Sequence, residues 1–564
     1  MRKPPSRASP PSNNVSLSCL GHTMAKSVGL SFERIPKTPA LLLDYLYHAE
    51  KVRAFFPGVA GSEFSGTPEP GGAWPRLPHR AALVETLERQ NRLWGASAKT
   101  MENLDRLAGD RCRAVVTGQQ VGLFTGPAYT IYKALTAVKL AEAYRRRGVE
   151  AVPVFWMATE DHDLEEVGRT WILAADSTLE SVQFAQGSEG NRLPVGPISF
   201  GPSIAGHLDQ FLQGLPDSEF KPVLAARLKR VYREGNTFGE AFAEVVSFLL
   251  SEYGLILLDP REPTLKKMAK PVFLQVAEAW EELDELLGSR NRQLAGAGYS
   301  PQVSREAGTS FLFWEQAGKR RGVVRTREGF SLRGNSEVLP DLRGLIERAP
   351  EQVSPNVLFR PVVQDFLLPT LACVAGPSEV AYHAQISPLY HALGRVMPPV
   401  VPRAGFTVIE RRMQKLLAKY RLEFCDLFRG SRALLKQIVE GTVNQEVGNR
   451  FDRLERAIDG RLGEMEEPLK SVDPTLVGAL GTARKKIQYQ LENLRSKFVS
   501  AESRQRAILT RQVDSLLMTL YPSGGFQERH VNIFYFLSRY GPEFLDELYD
   551  AIDLSDPDHK LIYL

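Results

Sequence analysis

The stretch "VVTGQQVGLFTGPAYTIYKALTAVKL", residues 115–140, joins an apolar run to a long amphipathic pattern through a turn rich in glycine. The amphipathic part keeps its apolar residues on one face, which predicts a helix from Tyr129 to Arg147. A second apolar run, "AVPVFWMAT" at residues 151–159, follows this helix. A strand, a helix and a second strand in this order form a βαβ unit, in which the two strands are parallel. The sequence therefore predicts an α/β fold with a parallel sheet that helices cover on both faces.

Similar signals return further along the chain. "GLILLDP" at 254–260 predicts a short buried strand, and "FLLPTLACVAGPSEVAYHAQISPLY" at 366–390 predicts a strand that leads into a helix. Between them, alternating segments within residues 295–350 predict antiparallel hairpins. Beyond residue 408 a narrow apolar stripe recurs at helical spacing. Two long helices separated by "VDP" at 472–474 predict an antiparallel coiled coil.

Composition narrows the class of protein. A chain of 564 residues suggests about three or four folding units. The net charge is only +4, with 70 basic against 66 acidic residues, which argues against a dedicated nucleic-acid binder. The 4 cysteines are scattered and never form CxxC, which suits a reducing cytoplasm better than a disulfide framework or a zinc finger. No apolar run approaches the roughly 18 residues of a membrane helix, so no membrane segment is predicted. The cysteine pattern leads us to expect a cytoplasmic protein.

The glycine-rich turn, residues 118–126, is the first candidate binding site. Ligands of open α/β sheets bind at the carboxyl ends of the strands, where this turn lies. Gly118, Gly122 and Gly126 would let the backbone approach a cofactor closely, and the helix that follows favours an anion at its start. Neutral side chains that could bind a substrate surround these glycines: Gln119, Gln120, Thr125 and Tyr129. The alternative is a glycine-rich turn without a ligand.

The next strand ends in "TEDHD", residues 159–163, beside the first strand end. Glu160, His162 and Asp163 are the candidate catalytic residues, since they could act as acid and base or hold an amine. A metal is the weakest choice because no HxH or CxxC spacing is present, so no metal ligand is predicted. The alternative is a set of solvated turn residues.

A third strand–helix junction, "CVAGPSEVAYHAQ", adds further candidate substrate-binding residues. Helical spacing places Glu379, Tyr382 and His383 on one face. A carboxylate at the helix start suggests that this wall binds an ammonium or hydroxyls, or else it is only a favourable charge at a helix N-terminus. Upstream, "SPNVLFRPVVQD" supplies Asn356, Arg360 and Gln364. Arg360 either binds a carboxylate bidentately or pairs with Asp365.

Together these motifs resemble the BshC family of bacillithiol biosynthesis. The resemblance rests on "TGQQVGLFTGPAYTIYKALTAVKLA", "PVFWMATEDHDLEEV", "YGLILLDP", "SPNVLFRPVVQDFLLPTLACVAGPSEVAYHAQISPLY" and the ending "YGPEFLDELYDAI". It implies a Rossmann-like core similar to class I aminoacyl-tRNA synthetases, with two connecting insertions and a coiled-coil domain that forms a homodimer. It also implies a cysteine ligase that joins cysteine to the amine of glucosaminyl-malate in the last step of the pathway.

The sequence lacks the motifs with which class I aminoacyl-tRNA synthetases activate a carboxylate. The chain has no HIGH tetrapeptide at "LFTGP" and no KMSKS after the last core strand, and "KKMAK" at 266–270 is misplaced for that role. Amide formation still needs an activated carboxylate, so ATP is the expected cofactor, through an adenylate with phosphates near Gly122 to Tyr129. The alternative function is a coiled-coil dimer whose Rossmann-like domain binds a nucleotide or metabolite without ligase activity.

The predicted parts of the chain follow from these patterns and from the resemblance. They are a disordered extension (1–23), a helical part of the core (24–110), the first part of the Rossmann-like core (111–175), connecting insertion 1 (176–250), the second part of the core (251–294), connecting insertion 2 (295–350), the third part of the core (351–407), the coiled-coil domain (408–522) and a C-terminal segment that packs on the core (523–564).

Overall fold

The computed structural model of the chain describes residues 26–56, 77–174, 177–184, 193–304, 308–327, 329–334, 338–339, 341–440 and 444–564. The predicted extension at 1–23 lies outside these residues.

The described strands are β1 (Lys26–Leu30), β2 (Arg113–Gln119), β3 (Ala151–Met157), β4 (Arg169–Leu173), β5 (Leu179–Gln183), β6 (Ile256–Leu258), β7 (Thr309–Gln316), β8 (Lys319–Thr326), β9 (Gly329–Leu332), β10 (Val338–Leu339), β11 (Val353–Pro355), β12 (Thr370–Ala375), β13 (Val400–Pro402), β14 (Phe406–Ile409) and β15 (His559–Tyr563).

The described α-helices are α1 (Ala40–Tyr47), α2 (Ala49–Val52), α3 (Arg80–Leu93), α4 (Ala98–Ala108), α5 (Tyr129–Arg146), α6 (Leu164–Val167), α7 (Ile204–Gly214), α8 (Lys221–Val231), α9 (Phe238–Leu249), α10 (Pro263–Glu278), α11 (Trp280–Gly296), α12 (Leu342–Arg348), α13 (Arg360–Leu367), α14 (Pro377–Ala392), α15 (Arg411–Tyr420), α16 (Gly430–Glu440), α17 (Asn444–Gly463), α18 (Glu466–Val472), α19 (Leu476–Leu520), α20 (Ile533–Tyr540) and α21 (Phe544–Ala551).

The central sheet has the strand order β13-β12-β2-β3-β6, and all of its neighbouring pairs are parallel. Helix α5 connects β2 to β3 and packs against both strands. Alternate residues of β3 enter opposite hydrophobic clusters: Val154 and Trp156 face one, while Phe155 and Met157 face the other. Both faces of the sheet are therefore covered, which confirms the predicted α/β fold with a parallel core.

A second sheet, β10-β9-β8-β7-β11, is antiparallel throughout and interrupts the chain between β6 and β12. It contains the hairpins predicted from the alternating segments of residues 295–350. A third sheet has the order β1-β15-β14. In it β15, near the C-terminus, pairs antiparallel with β1 and parallel with β14. Strand β1 lies in the part of the chain predicted to be helical.

Helices α17, α18 and α19 form a long antiparallel hairpin, and the predicted break at "VDP" separates α18 from α19. Cross-helix contacts show the antiparallel direction: Arg495 pairs with Asp452 at 2.9 Å, whereas the earlier Arg484 pairs with the later Asp459. No described side chain between residues 447 and 498 is fully buried. The hairpin therefore leaves one apolar face open to solvent. No helix in the described part of the chain is long and apolar enough to cross a membrane.

Candidate functional site

A cavity of about 650 Å³ lies at the carboxyl ends of β2, β3 and β12. This is the edge at which ligands of parallel sheets bind. The predicted site residues that line it come from three distant stretches of sequence: Gly118, Gln119, Gln120, Tyr129, Glu160, His162, Asn356, Arg360, Glu379 and Tyr382. The parallel topology thus brings together the three strand ends singled out in the sequence.

The remaining residues of the glycine-rich turn do not line the cavity. A Cβ on Gly122 would lie 2.9 Å from the Cα of Gly126, which itself has a φ of +69°. Thr125 is buried, and the side chain of Asn532 donates hydrogen bonds to the carbonyls of Phe124 and Gly126, both at 2.8 Å. The packing of the turn itself explains Gly122 and Gly126, so the ligand-free alternative describes this part of the turn better than a phosphate cradle does.

Three further candidates, Asp163, Gln364 and His383, do not line the cavity. Asp163 caps helix α6, because its carboxylate accepts a hydrogen bond from the backbone N–H of Glu166 at 3.0 Å. Gln364 is buried and accepts a hydrogen bond from Arg360. His383 is also buried, with Nδ1 2.7 Å from the carbonyl of Glu379. Burial lowers the pKa of His383 to about 4, so its imidazole is neutral at pH 7. Gln364 and His383 therefore support Arg360 and Glu379, whereas Asp163 stabilises the start of α6.

Glu379 has a buried partner that was not predicted from the sequence. Its carboxylate forms an ion pair with Lys133 on α5 and accepts the N–H of Gly376 at 2.7 Å. Lys133 also donates to the carbonyl of Gly118 at 2.9 Å and to Gln119 at 3.0 Å. Burial alone would raise the pKa of Glu379, but Lys133, Arg360 and the N–H of Gly376 together outweigh burial and hold that pKa below its usual value. Glu379 is therefore committed to Lys133 rather than free to hold an ammonium group.

Arg360 lies at the start of α13 and is held by neutral groups. It donates to Gln364 at 2.9 Å and to the hydroxyl of Tyr382 at 3.3 Å. Its guanidinium lies 5.9 Å from the ring of Trp156. Asp365 instead accepts hydrogen bonds from Gln364 and Tyr390, and no direct Arg360–Asp365 ion pair occurs among the described residues. Of the two predicted alternatives for Arg360, the direct pair with Asp365 is therefore absent.

The strand end "TEDHD" divides into an exposed and a buried part. Gln120 donates to the carboxylates of Asp161 at 2.6 Å and Glu166 at 3.0 Å, and all three side chains line the cavity. Glu160 also lines the cavity, but it is buried and forms an ion pair with Lys266. Asp161 and Glu166 therefore provide the negative charge at this side of the cavity, whereas the charge of Glu160 is neutralised.

Lys266 belongs to the "KKMAK" segment, whose position does not suit a synthetase motif. Its ammonium also donates to the carbonyl of Val353 at 2.6 Å and so connects α10 to the strand end and to β11. This segment thus supports the floor of the site, although no sequence signal pointed to Glu160 as its partner.

His162 is the remaining candidate catalytic side chain that faces the cavity. Its Nδ1 lies 3.4 Å from a guanidinium nitrogen of Arg320 on β8. Arg320 is buried, donates to Ser354 at 2.8 Å, and lies 3.9 Å from the ring centroid of Phe313. The antiparallel sheet therefore forms part of the cavity wall and holds His162 in place.

Besides Arg320, two further arginines in the cavity wall were not predicted from the sequence. Arg403 follows β13 and forms a buried ion pair with Glu528. Arg529, the next residue along the chain from Glu528, lines the same wall. Lys133, by contrast, had a usable signal, because it lies four residues after Tyr129 on the same helical face. Arg403 and Arg529, however, reach the cavity only because the fold places distant parts of the chain side by side.

The two cysteines of the core, Cys112 and Cys373, are buried. Burial raises the pKa of Cys112 to about 11 and that of Cys373 to about 12, so neither thiol is ionised at pH 7. Among the described residues, no group of His, Cys, Asp and Glu side chains is arranged to hold a metal ion.

Known proteins resemble this chain to very different degrees. The solved structure titled "Crystal structure of putative arginyl t-RNA synthetase from Campylobacter jejuni" covers 82% of this chain and 98% of its own, at 10% identity and a TM-score of 0.23. Proteins named "Putative cysteine ligase BshC" match much more closely. The one from Solibacter usitatus is 36% identical over 541 residues, covering 94% of this chain and 98% of its own length. The one from Koribacter versatilis is 35% identical, again covering 94% and 98%.

Two family descriptions match consecutive parts of the chain. Residues 30–404 match "Bacillithiol biosynthesis BshC, N-terminal Rossmann-like domain", which agrees with the parallel sheet and its cavity. Residues 406–564 match "Bacillithiol biosynthesis BshC, C-terminal coiled-coil domain", which contains the long helical hairpin. The resemblance seen in the sequence motifs is thereby confirmed: the chain belongs to the BshC family of bacillithiol biosynthesis.

Proposed function

We propose that this protein is a carbon–nitrogen ligase that joins the carboxylate of cysteine to the amine of glucosaminyl-malate, the last step of bacillithiol formation. Family membership and the names of the relatives support the reaction class. The observation that carries the proposal is the cavity itself, whose lining includes the carboxylates of Asp161 and Glu166 together with the guanidinium groups of Arg360 and Arg529. Such a cavity suits a substrate that carries both an amine and carboxylates.

The amine must lose a proton before it can attack a carbonyl carbon. Asp161 and Glu166 provide the negative charge that would attract the ammonium form, and His162 beside them is the general base in this proposal. Glu160 and Asp163 are less suited to that role, because the first is paired with Lys266 and the second caps α6. The amide bond then forms between the amine nitrogen and the cysteine carbonyl carbon, one carboxylate oxygen leaves with the activating group, and His162 takes the proton.

The other end of the substrate carries two carboxylates. Arg360 is the residue we assign to one of them, since its planar fork suits a carboxylate and its present partners, Gln364 and Tyr382, are neutral. Asn356 and Tyr129 line the same cavity and offer further hydrogen bonds. This assignment puts the malyl group at Arg360 and the sugar amine near His162, Asp161 and Glu166.

We also propose ATP as the source of activation, because a free carboxylate and an amine do not form an amide unaided. When bound, ATP would supply an adenylyl group for a carboxylate oxygen of cysteine, so that this oxygen could leave as part of AMP. Gly122 and Gly126 do not fit a phosphate site, since they are enclosed within their own turn; of the predicted glycines, Gly118 lines the cavity. We therefore assign no ATP contact to Gly122 or Gly126.

A homodimer formed through the helical hairpin is part of this proposal. Leu454 and Leu494 are 45% and 54% exposed on the hairpin, although both belong to its apolar stripe. Contact with the same hairpin of a second copy would remove this surface from water. We place the reaction in the cytoplasm, where the scattered thiols stay reduced.

Reconstitution tests the function. The purified full chain is incubated with cysteine and glucosaminyl-malate, with and without ATP, and the products are identified by mass spectrometry. We expect bacillithiol only when ATP is present. Binding of glucosaminyl-malate without product under either condition would favour the alternative of a metabolite-binding protein without ligase activity.

A further inference from the structure

The cavity is lined by several cationic side chains, and their partners differ. Lys133 is paired with Glu379, and Arg403 is paired with Glu528. Arg320 and Arg360 donate to neutral groups and are packed over aromatic rings. The charges of Lys133 and Arg403 are therefore neutralised within the protein, and the donors of Arg320 and Arg360 are partly used.

Arg529 is different from these four residues. Its side chain is exposed, lines the cavity, and has no hydrogen-bond or ion-pair partner among the described residues. A guanidinium offers five N–H donors in a planar fork that matches a carboxylate. Arg529 is thus a cation of the cavity wall whose donors are all available to a ligand.

The backbone that carries Arg529 is held firmly by its two preceding residues. Gln527 is buried; it donates to the carbonyls of Thr519 at 2.9 Å and Val408 at 3.1 Å, and accepts the N–H of Val408 at 2.8 Å. Glu528 is also buried, pairs with Arg403, and accepts the N–H of Phe406 at 2.9 Å. These bonds join the end of α19 and β14 to the cavity wall. Arg529 therefore starts from a fixed position and not from a free loop.

We propose that Arg529 is a specificity-determining residue that binds a carboxylate of the acidic acceptor substrate. This inference rests on the proposed function, in which Arg360 binds one malyl carboxylate and the second needs a partner. Arg529 would supply that partner and so favour an acceptor with two carboxylates over a glucosaminide without carboxylates. The specificity of the Rossmann-like core would then depend on a residue that the C-terminal domain contributes.

Equilibrium binding tests the proposal independently of turnover. The dissociation constant of glucosaminyl-malate is measured by calorimetry for the wild-type chain, Arg529→Gln, Arg529→Lys and the control Arg411→Gln. Arg411 is an exposed arginine at the start of α15 that does not line the cavity. Methyl glucosaminide, which lacks the malyl carboxylates, and ATP serve as second and third ligands. Thermal melting of each variant checks that it is folded.

We expect Arg529→Gln to weaken glucosaminyl-malate binding about tenfold or more, as for loss of one charge-assisted pair. Arg529→Lys should lie in between, because it keeps the charge without the fork. Binding of methyl glucosaminide should not change, and Arg411→Gln should behave as wild type. Equal glucosaminyl-malate affinity in wild type and Arg529→Gln, or weakened binding of ATP alone, would overturn the proposal. Absence of turnover with this binding pattern intact would overturn the ligase function and leave the carboxylate subsite standing.

Discussion

The buried ion pair of Lys133 and Glu379 allows us to predict how much a substitution lowers the free energy of unfolding. The side chains are only 4% and 21% exposed. Removing one member of a buried pair costs about 3–5 kcal/mol, because the other charge stays buried without its partner. In Glu379→Gln, Lys133 keeps two carbonyl acceptors, on Gly118 and Gln119. We therefore expect Glu379→Gln to lower the free energy of unfolding by about 3 kcal/mol, the lower end of this range.

The matched control is a pair of the same charge types on the surface. Glu88 and Arg92 on α3 are 41% and 63% exposed and four residues apart. Such a helix pair contributes only about 0.3–0.5 kcal/mol. Urea unfolding of wild type, Glu379→Gln and Glu88→Gln, followed by tryptophan fluorescence at pH 7, compares the two sites. Equal destabilisation by the two substitutions would refute the argument that Glu379 is committed to Lys133.

The same pair predicts a pH dependence. Because the folded-state pKa of Glu379 is lowered, its carboxylate adds stability above the pKa of the unfolded chain. That contribution is lost as the pH falls through the lowered folded-state pKa. The stability difference between wild type and Glu379→Gln should therefore be full at pH 7 and shrink in acid. If the stability difference between wild type and Glu379→Gln grows as the pH falls from 7, the assigned lowering of the Glu379 pKa is contradicted.

Three other substitution experiments address the site and the assembly. Gln120→Ala and His162→Ala should each abolish product formation in a mass-spectrometric assay yet leave the melting temperature nearly unchanged, since both side chains are partly exposed. Near-normal turnover in both variants would contradict the proposal that this cavity is the active site. Arg360→Lys should raise KM for glucosaminyl-malate about tenfold or more while KM for cysteine moves little, because lysine lacks the planar fork; the reverse pattern would place the cysteine carboxylate at Arg360. The double substitution Leu454→Glu and Leu494→Glu should convert a dimer into a monomer in light scattering at micromolar concentration, and a wild-type monomer would refute the proposed assembly.

The central fold could be predicted because its signals are local. Continuous apolar runs such as residues 151–157 indicate strands buried on both faces, and the βαβ order makes those strands parallel. Topology then places the strand ends together, which is why Gln120, His162 and Glu379 could be predicted to share a site. Strand β1 was missed because four of its five residues are exposed and it carries no clear alternation of polar and apolar residues.

The partners within the site could not be predicted, because they depend on contacts between distant parts of the chain. Lys266 reaches Glu160 across 106 positions, and Arg403 reaches Glu528 across 125. A single sequence gives no measure of such pairing. Glu160 was predicted as a candidate catalytic residue, and its buried ion pair with Lys266 could not be foreseen from the sequence. Arg529 gave no signal for the same reason, since nothing near it in the sequence resembles a binding motif.

The most direct test of the proposed ligase reaction follows the oxygen atoms of cysteine. The full chain is given cysteine labelled with 18O in both carboxylate oxygens, together with glucosaminyl-malate and ATP, and the products are analysed by mass spectrometry. Carboxylate activation by ATP predicts bacillithiol that retains one 18O and a phosphate-containing product that carries the other. If bacillithiol forms but no product derived from ATP carries 18O, activation of the carboxylate by ATP is contradicted. If no bacillithiol forms, the ligase function is contradicted.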